Sequence, residues 1–440
     1  MGTEASDGGK LKRVLNLRDL LVFAIMTMVP IAPMGVYGIV ASVSHGYVPL
    51  TYIVAAAAMF FTAWSYGQFA FRIPEAGSAY AYVRETLGPH AGFITGWVIL
   101  LDYILIPSLV ILVAALWLQA VSGVPMFVWA LAFIAFATVA NILGVEMTMK
   151  ASMALFIFEA GVLAAFVAAA VLKIITDPNL HFSLAPFYNP ATFSVGYVVA
   201  GASIAVLSFL GFDIMTTLAE ETKEARRVVS KAVVLVVPII TSFFVVQTYL
   251  AAVVHPSYTF KDTDVAFYYI AREVGGRWLQ LLTMAGTVLA AGIGDTLAAQ
   301  AGISRVLFSM GRQGQLPRIF SKLHPRFRTP YVSTLVVAAI TAPIVYVLTL
   351  RDLSSIVNFG ALTAFLLMQF SLAYRFVRVE GRPLLAFLPA IGFAITGAVW
   401  YGLDSSAKEL GFIWIALGVA YLAYMTRGFK TEAKLSIPEV

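Results

Sequence analysis

Long apolar runs separated by short polar stretches dominate the pattern along the chain. A helix needs roughly 20 apolar residues to cross a hydrocarbon core of about 30 Å, and the runs are long enough to do so. They are apolar on all faces, whereas the strands of a membrane barrel alternate apolar and polar residues, so the pattern predicts an all-α integral membrane protein. The twelve predicted transmembrane helices are 20–42, 50–71, 93–121, 127–145, 151–172, 195–219, 232–254, 278–304, 331–349, 354–374, 384–403 and 410–426.

The composition agrees with this class of protein. Hydrophobic residues make up 60% of the 440 residues and charged residues only 12%, where a soluble protein has about 25%. The absence of cysteine excludes disulfides, thiol catalysis and cysteine-ligated metals. Walker, HExxH and GxSxG patterns are also absent, and the five histidines all fall in predicted loops. We therefore expect a protein that is not an enzyme and that carries no cofactor and no metal.

The basic residues are distributed unequally between the two sides of the predicted bundle. With twelve spans both termini lie on one side, and that side receives 23 of the 29 lysines and arginines. The positive-inside rule then places both termini, residues 1–19 and 427–440, in the cytoplasm and the protein in the cell membrane. The formal net charge of +6 thus indicates orientation in the lipid bilayer, and we expect no nucleic-acid partner.

Two of the predicted spans contain residues that interrupt a helix. The first span carries Pro30 and Pro33, followed by Gly35, and each proline removes a main-chain donor. The sixth span carries Gly211, followed closely by an acidic residue. Either break alone is also compatible with a tolerated kink, because proline and glycine are frequent in membrane helices. Their separation by five spans instead favours two related broken helices.

A second similarity has the same offset of five spans. Residues 79–88, before the third span, and residues 266–275, before the eighth, both combine aromatic residues with an Arg-Glu pair and a final glycine. Because an odd number of spans separates them, two five-helix repeats would be inverted in the membrane, as in many secondary transporters. The predicted organisation is a first repeat at 20–172, a second repeat with its main part at 195–349 and continuing to 374, and two additional helices at 384–426.

Four acidic residues fall inside the predicted spans, while no lysine, arginine or histidine does. They are Asp102, Glu159, Asp213 and Asp295. A charge at the bilayer centre costs about 2.5–3.5 kcal/mol on the insertion scale, so acids without basic partners need an explanation. The simplest explanation is a cationic cargo that enters and leaves.

The breaks in the first and sixth spans are the predicted place for this cargo. Beside the sixth-span break, freed carbonyls and the Asp213 carboxylate can together hold an ammonium group. Asp102 and Tyr103 are a second candidate pair, for which a buried hydrogen bond between helices is the alternative. Aromatic rings near the sixth-span break can cover a cation, or simply pack between helices. The candidate substrate-binding residues are Asp213, Asp102, Tyr103, Phe209, Gly211, Phe212, Ile31 and Ala32.

The other two intramembrane acids are candidates for proton coupling or cation sensing. Glu159 has no polar neighbour within residues 155–161, and a lone charge there is costly, so we expect it to take up a proton reversibly. The alternative is a neutral carboxylic acid that is hydrogen-bonded within the bundle. Asp295 follows Gly292 and Gly294 in the predicted cytoplasmic half of its span, where it can instead line an inner vestibule.

Six short segments carry a resemblance to a known family: Pro74–Tyr80, Leu101–Tyr103, Ser208–Asp213, Ala219–Thr222, Met310–Arg312 and Asn358–Leu362. Together they resemble the amino acid, polyamine and organocation transporter superfamily over nearly the whole chain. Within that superfamily they are most similar to bacterial putrescine importers. The first-loop motif is common across the superfamily, whereas the combination of Asp102 with the sixth-span motif is more specific.

The resemblance implies the inverted-repeat fold named after the leucine transporter, with substrate held between the broken first and sixth helices. It also implies proton-driven uptake of a small diamine. Asp213 falls where related diamine carriers place an acidic substrate ligand. Glu159 departs from the pattern of some proton-coupled amino acid permeases, which carry a lysine there, so their coupling mechanism does not transfer directly.

The residues themselves favour a cationic substrate as well. A carrier of amino acids needs free main-chain amides near the first-span break to bind an α-carboxylate, and Pro30 and Pro33 remove two of them. The intramembrane acids would also repel a carboxylate, so a compact dication such as putrescine fits better than a zwitterion. An amino acid permease or a diamine/amino acid exchanger is the alternative in the same fold. A channel would need a continuous polar pore, and a membrane enzyme a catalytic constellation.

Overall fold

A computed structural model describes residues 15–73, 79–144, 149–312 and 316–432. Within these ranges the regular structure is helical, with a single isolated bridge between Leu15 and Thr222 and no strand. The predicted all-α class is therefore confirmed. Part of the first-loop motif, residues 74–78, lies outside the described residues.

The helices alternate with short loops along the whole described chain. Short 3₁₀ segments are Val206–Phe209, Phe212–Glu221, Arg318–Ser321 and Pro383–Ala386, and π segments are Val288–Asp295 and Arg375–Val379. The α-helices are α1 (Leu17–Met28), α2 (Ala32–Val43), α3 (Val48–Arg72), α4 (Ala79–Leu87), α5 (Pro89–Ser122), α6 (Met126–Leu143), α7 (Met149–Thr176), α8 (Val195–Ala205), α9 (Ala225–Val254), α10 (Ala266–Gly275), α11 (Arg277–Thr287), α12 (Thr296–Arg312), α13 (Tyr331–Val347), α14 (Leu350–Tyr374), α15 (Phe387–Tyr401) and α16 (Ser405–Met425).

Nine helices of the described ranges are long and apolar enough to cross a membrane, and the bent pair of α1 and α2 makes a tenth candidate. Two shorter apolar helices, Val195–Phe209 and Tyr331–Val347, coincide with the two remaining predicted spans. Every predicted span thus falls on an apolar helical segment. The total of twelve stays a prediction, because these two segments are shorter than the other candidates.

The first span is interrupted between α1 and α2, whose axes differ in direction by 50°. Val29 has a φ of 53°, which is unusual for a β-branched residue. Pro33 lies in the first turn of α2, where its missing N–H leaves no helical hydrogen bond unmade. The buried side chain of Gln247, on α9, donates from Nε2 to the Pro30 carbonyl oxygen over 2.9 Å. A side chain of a neighbouring helix therefore satisfies the main chain at this break.

The sixth span is interrupted at Leu210 and Gly211. Leu210 is extended and Gly211 has a φ of 103°, a conformation that favours glycine. The buried Asn358, on α14, donates to the carbonyl oxygens of Ser203 and Ile204 over 2.7 and 3.2 Å. These carbonyls belong to the last turn of α8, where an α-helix leaves acceptors unpaired. The second half of the span then continues as the 3₁₀ helix Phe212–Glu221.

The two broken spans are joined at one end of the bundle. The Leu15 amide donates to the Glu221 carbonyl oxygen over 3.1 Å, and the Lys223 amide donates to the Leu15 carbonyl oxygen over 2.9 Å. The chain that enters α1 is therefore paired with the chain that leaves the sixth span.

Candidate functional site

A cavity of about 750 Å³ lies between the two breaks. Its walls come from α1, α2, α5, α7, the sixth-span break, the π segment Val288–Asp295 and α12. It reaches Gly144, after α6, and Thr329 and Pro330, before α13, on the side of the bundle where α1 begins. Among the described residues no lysine or histidine lines it, and Arg305 is the single basic residue in its lining.

Asp213 enters the cavity from the first turn of the 3₁₀ helix that follows the sixth-span break. The hydroxyl of Tyr66, on α3, donates to Asp213 Oδ2 over 3.2 Å, and the Thr216 hydroxyl donates to the Asp213 carbonyl oxygen over 2.7 Å. The side chain is partly exposed, so its carboxylate is fixed on one side and open to the cavity on the other. Such a carboxylate can accept hydrogen bonds from an ammonium group.

Glu159 and Asp295 enter the same cavity from α7 and from the end of the π segment. Glu159 is only 3% exposed, and its Oε2 atom has no hydrogen-bond partner. The two carboxyl groups are close enough for their charges to interact. A π segment adds a residue to a helical turn and is frequent at functional sites, and here it ends on Asp295.

Asp102 lies behind the cavity wall. Its side chain is 5% exposed, its Oδ1 atom has no hydrogen-bond partner, and it does not line the cavity. It packs against α14 at Gly360, where a Cβ atom would lie 3.2 Å from the Asp102 nitrogen. Its charge interacts with that of Asp213. The neighbouring Tyr103 does line the cavity, so the predicted pair is divided between the wall and the interior of the bundle.

The remaining predicted substrate-binding residues also fall into two groups. Ile31 and Ala32, at the first-span break, line the cavity. Phe209 and Phe212 are fully buried and are not part of its lining: Phe209 packs on Phe244 with ring centroids 5.1 Å apart, and Phe212 on Tyr66 at 5.5 Å. Gly211 serves the backbone turn and does not line the cavity. This placement favours the packing interpretation for both aromatic rings.

Three residues of the site did not emerge from the sequence: Tyr66, Gln247 and Asn358. Each is a buried polar side chain in a predicted apolar span, and each bonds to one of the breaks or to Asp213. The signal that identifies them is polarity without charge inside an apolar run, because a buried amide or hydroxyl in lipid needs a partner. In the described parts of the chain, no group of three His, Asp or Glu residues could hold a metal ion.

Comparisons with known proteins agree on one class of protein, membrane transporters of amino acids and polyamines. The family model for amino acid permeases matches residues 19–378. The low-affinity putrescine importer PlaP of Escherichia coli is 33% identical over 96% of this chain and 95% of its own length. The branched-chain amino acid permease BcaP of Bacillus subtilis is 28% identical over 83% of this chain and 81% of its own length. The vacuolar cationic amino acid transporter 4 of Arabidopsis thaliana is 25% identical over 85% of this chain and 65% of its own length.

Proposed function

The chain belongs to the amino acid permease family, and from this premise we propose that it imports putrescine or a related polyamine by alternating access. The family has the fold of the leucine transporter, and its members are multi-pass membrane proteins. Transport of amino acids or polyamines is the activity that the family and the relatives have in common. The choice of a polyamine is our proposal.

One observation carries that choice: three carboxyl groups line the cavity, and Arg305 is the single basic residue among its described lining residues. A cavity with an excess of negative charge attracts a cation and repels a carboxylate. The relative with the highest identity given above is named as a putrescine importer, which agrees with this charge.

The first-span break supports a diamine over an amino acid. The amides of Ala32 and Met34 already donate to the carbonyl oxygens of Val29 and Ile31, each over 2.9 Å. Pro30 and Pro33 have no amide hydrogen to donate. Few main-chain donors at this break are therefore free to bind an α-carboxylate.

Alternating access is supported by the difference between the two ends of the bundle. Toward the end where α1 begins, the cavity reaches Gly144 and Thr329. At the opposite end, Gly38 lies so close to Thr263 and Ala266 that there is no room for a Cβ atom. We assign the closed end to the outside and the open end to the cytoplasm, which makes this an inward-facing state with both termini in the cytoplasm.

We further propose that a proton gradient drives uptake and that Asp102 carries the coupled proton. A coupling group should keep its proton while the cargo is bound, so it must not be displaced by the cargo. Asp102 meets this condition because it does not line the cavity and its Oδ1 atom has no hydrogen-bond partner. It can still respond to the cargo site, because a carboxylate at Asp102 and one at Asp213 repel each other. Glu159, the candidate from the sequence, faces the cavity and is therefore open to the cargo itself.

Uptake into proteoliposomes with an imposed pH gradient tests this function. Labelled putrescine should accumulate, and cadaverine and spermidine should compete better than ornithine, arginine or neutral amino acids. Preferential competition by neutral amino acids would instead make the protein an amino acid permease, as the similarity to BcaP suggests for the second candidate. Asp102→Asn should abolish the dependence of uptake on the pH gradient, and an unchanged dependence would remove Asp102 from coupling.

A further inference from the structure

We propose that Glu159 and Asp295 form a second ammonium-binding subsite, so that the cavity holds both ends of a diamine. One ammonium group binds Asp213 at the sixth-span break, and the other binds the wall made by α7 and the π segment. This inference rests on the proposed function, and it assigns to α7 and the π segment the preference for a substrate with two charges.

The two acidic walls each contact the first-span break. At one wall, a Cβ atom at Gly211 would lie 3.5 Å from the Thr27 carbonyl oxygen, and Asp213 follows two residues later. At the other wall, a Cβ atom at Gly286 would lie 3.1 Å from both Ile31 Cδ1 and Val162 Cγ2. The segment from Thr27 to Ile31 therefore contacts both walls.

Glu159 and Asp295 lie at similar depth in the second wall. Val162, which meets the first-span break through Gly286, is three residues and about one helical turn from Glu159. A Cβ atom at Gly294 would lie 2.9 Å from Leu155 Cδ2, and Leu155 is one turn from Glu159 in the other direction. Asp295 follows Gly294 directly, so both acids lie within about one helical turn of this contact between α7 and the π segment.

Unpartnered polar atoms point to a ligand at this wall. Glu159 Oε2 is buried in the cavity lining without a hydrogen-bond partner. The hydroxyl of Thr287, which is 5% exposed and lines the same cavity, is also unpartnered. Thr287 is independent of the acidic pair and lies beside Gly286, next to the first-span break. Buried polar atoms are normally paired, so acceptors left open in a cavity wall are available for a donor that comes with the cargo.

An ammonium group supplies what this wall lacks. It carries three donors and one positive charge, and the wall offers two carboxyl groups and a hydroxyl, in a cavity where Arg305 is the single basic residue among the described lining residues. Hydrogen bonds between charged partners are roughly twice as strong as neutral ones. The four-carbon chain of a diamine can then lie along the apolar lining at Ile31 and Ala32.

The test compares two amines of equal chain length as competitors of labelled putrescine: unlabelled putrescine, with two ammonium groups, and n-butylamine, with one. In the wild-type protein putrescine should compete much better than n-butylamine. Glu159→Gln and Asp295→Asn should each weaken competition by putrescine about 10- to 100-fold, so that putrescine approaches n-butylamine as a competitor. Competition by n-butylamine should change by no more than about twofold. Asp213→Asn should weaken competition by both amines.

Asp177→Asn, which changes an acid in the loop after α7, is the matched control and should leave competition by both amines unchanged. The same competition is measured by binding to detergent-solubilised protein. Only variants that show a cooperative melting transition are compared. If one of the two variants misfolds, the other is used to test the second subsite. An equal effect of Glu159→Gln and Asp295→Asn on both amines, or no effect on either, would overturn the second subsite. A wild-type protein that takes up neutral amino acids but no putrescine would instead contradict the proposed function.

Discussion

The breaks of the first and sixth spans lie against each other, and at each a buried amide side chain of a neighbouring helix donates to main-chain carbonyls, but only the sixth break adds a charge. At the first break, neutral groups of the protein bond to the main-chain carbonyl oxygens: the Gln247 side chain donates to that of Pro30, and the Ala32 amide donates to that of Val29. At the sixth break a glycine with a φ of 103° precedes a carboxylate that faces the cavity. The first break therefore shapes the cavity, and the sixth break supplies charge to it.

On the proposed function, the two broken helices of this protein contribute differently to binding of the cargo. A break with free amides suits a carboxylate, whereas a break that places an acid in a cavity suits a cation. In this chain the amides of Ala32 and Met34 at the first break are already bonded, and Arg305 is the single basic residue among the described residues that line the cavity. Substitutions at each break separately test this difference.

The largest effect is expected for Asp213→Asn at the sixth break. Removing the carboxylate that holds an ammonium group should raise the KM for putrescine about 10- to 100-fold, because a charged hydrogen bond is replaced by a neutral one. Concentration-dependent uptake in proteoliposomes measures this, with Asp177→Asn as the control acid. An unchanged KM would show that the sixth break does not carry the charge that binds the cargo.

A somewhat smaller effect is expected for Gly211→Ala. A side chain in this backbone conformation costs on the order of 1–3 kcal/mol, so the turn must shift and carry Asp213 with it. We expect a fall of about 10-fold in the maximal uptake rate, together with a lower melting temperature. Gly161→Ala is the matched control, because a Cβ atom there meets open space in the middle of α7. Equal behaviour of the two variants would contradict a special role for Gly211.

The sequence predicted the position of both breaks because proline and glycine act locally, through a missing donor and a permitted φ, although Gly35 lies inside α2 and is not part of the first break. It also identified all four acids of the predicted spans, since charge is conspicuous in an apolar run. It did not separate Asp102 from Asp213, because a helix that is apolar on all faces gives no periodicity from which to tell a cavity wall from a helix contact. The packing of the helices distinguishes them, because it places Asp213 in the cavity lining and Asp102 behind it.

Other features were out of reach for a related reason. The 3₁₀ form of Phe212–Glu221 and the π segment Val288–Asp295 depend on tertiary contacts that a single sequence does not display. Gln247 and Asn358 stand in apolar runs as uncharged polar residues, and their partners are carbonyls more than 150 residues away.

A smaller effect is expected for Gln247→Leu at the first break. The Pro30 carbonyl would lose its buried donor, at a cost of about 1–3 kcal/mol in stability. The maximal uptake rate should fall several-fold while the KM for putrescine changes little, because Gln247 does not line the cavity. Thr248→Val is the control, since that hydroxyl bonds only to carbonyls of its own helix. A large change in KM would place charge recognition at the first break as well.

The smallest effect is expected for Tyr66→Phe. This change removes one hydrogen bond, 3.2 Å long, from a carboxylate that remains in place. Because this bond is long, its contribution should lie near the low end of the range for a single hydrogen bond, about 0.5 kcal/mol, and the KM for putrescine should change only about twofold. A change as large as that of Asp213→Asn would mean that Tyr66 itself binds the cargo.

Equilibrium binding of labelled putrescine to the purified protein measures the charge preference of the cavity separately from the transport cycle. We predict saturable binding that cadaverine displaces and leucine does not, and that Asp213→Asn weakens strongly. Displacement by leucine at concentrations similar to those of cadaverine, with binding unaffected by Asp213→Asn, would contradict a cavity built for cations.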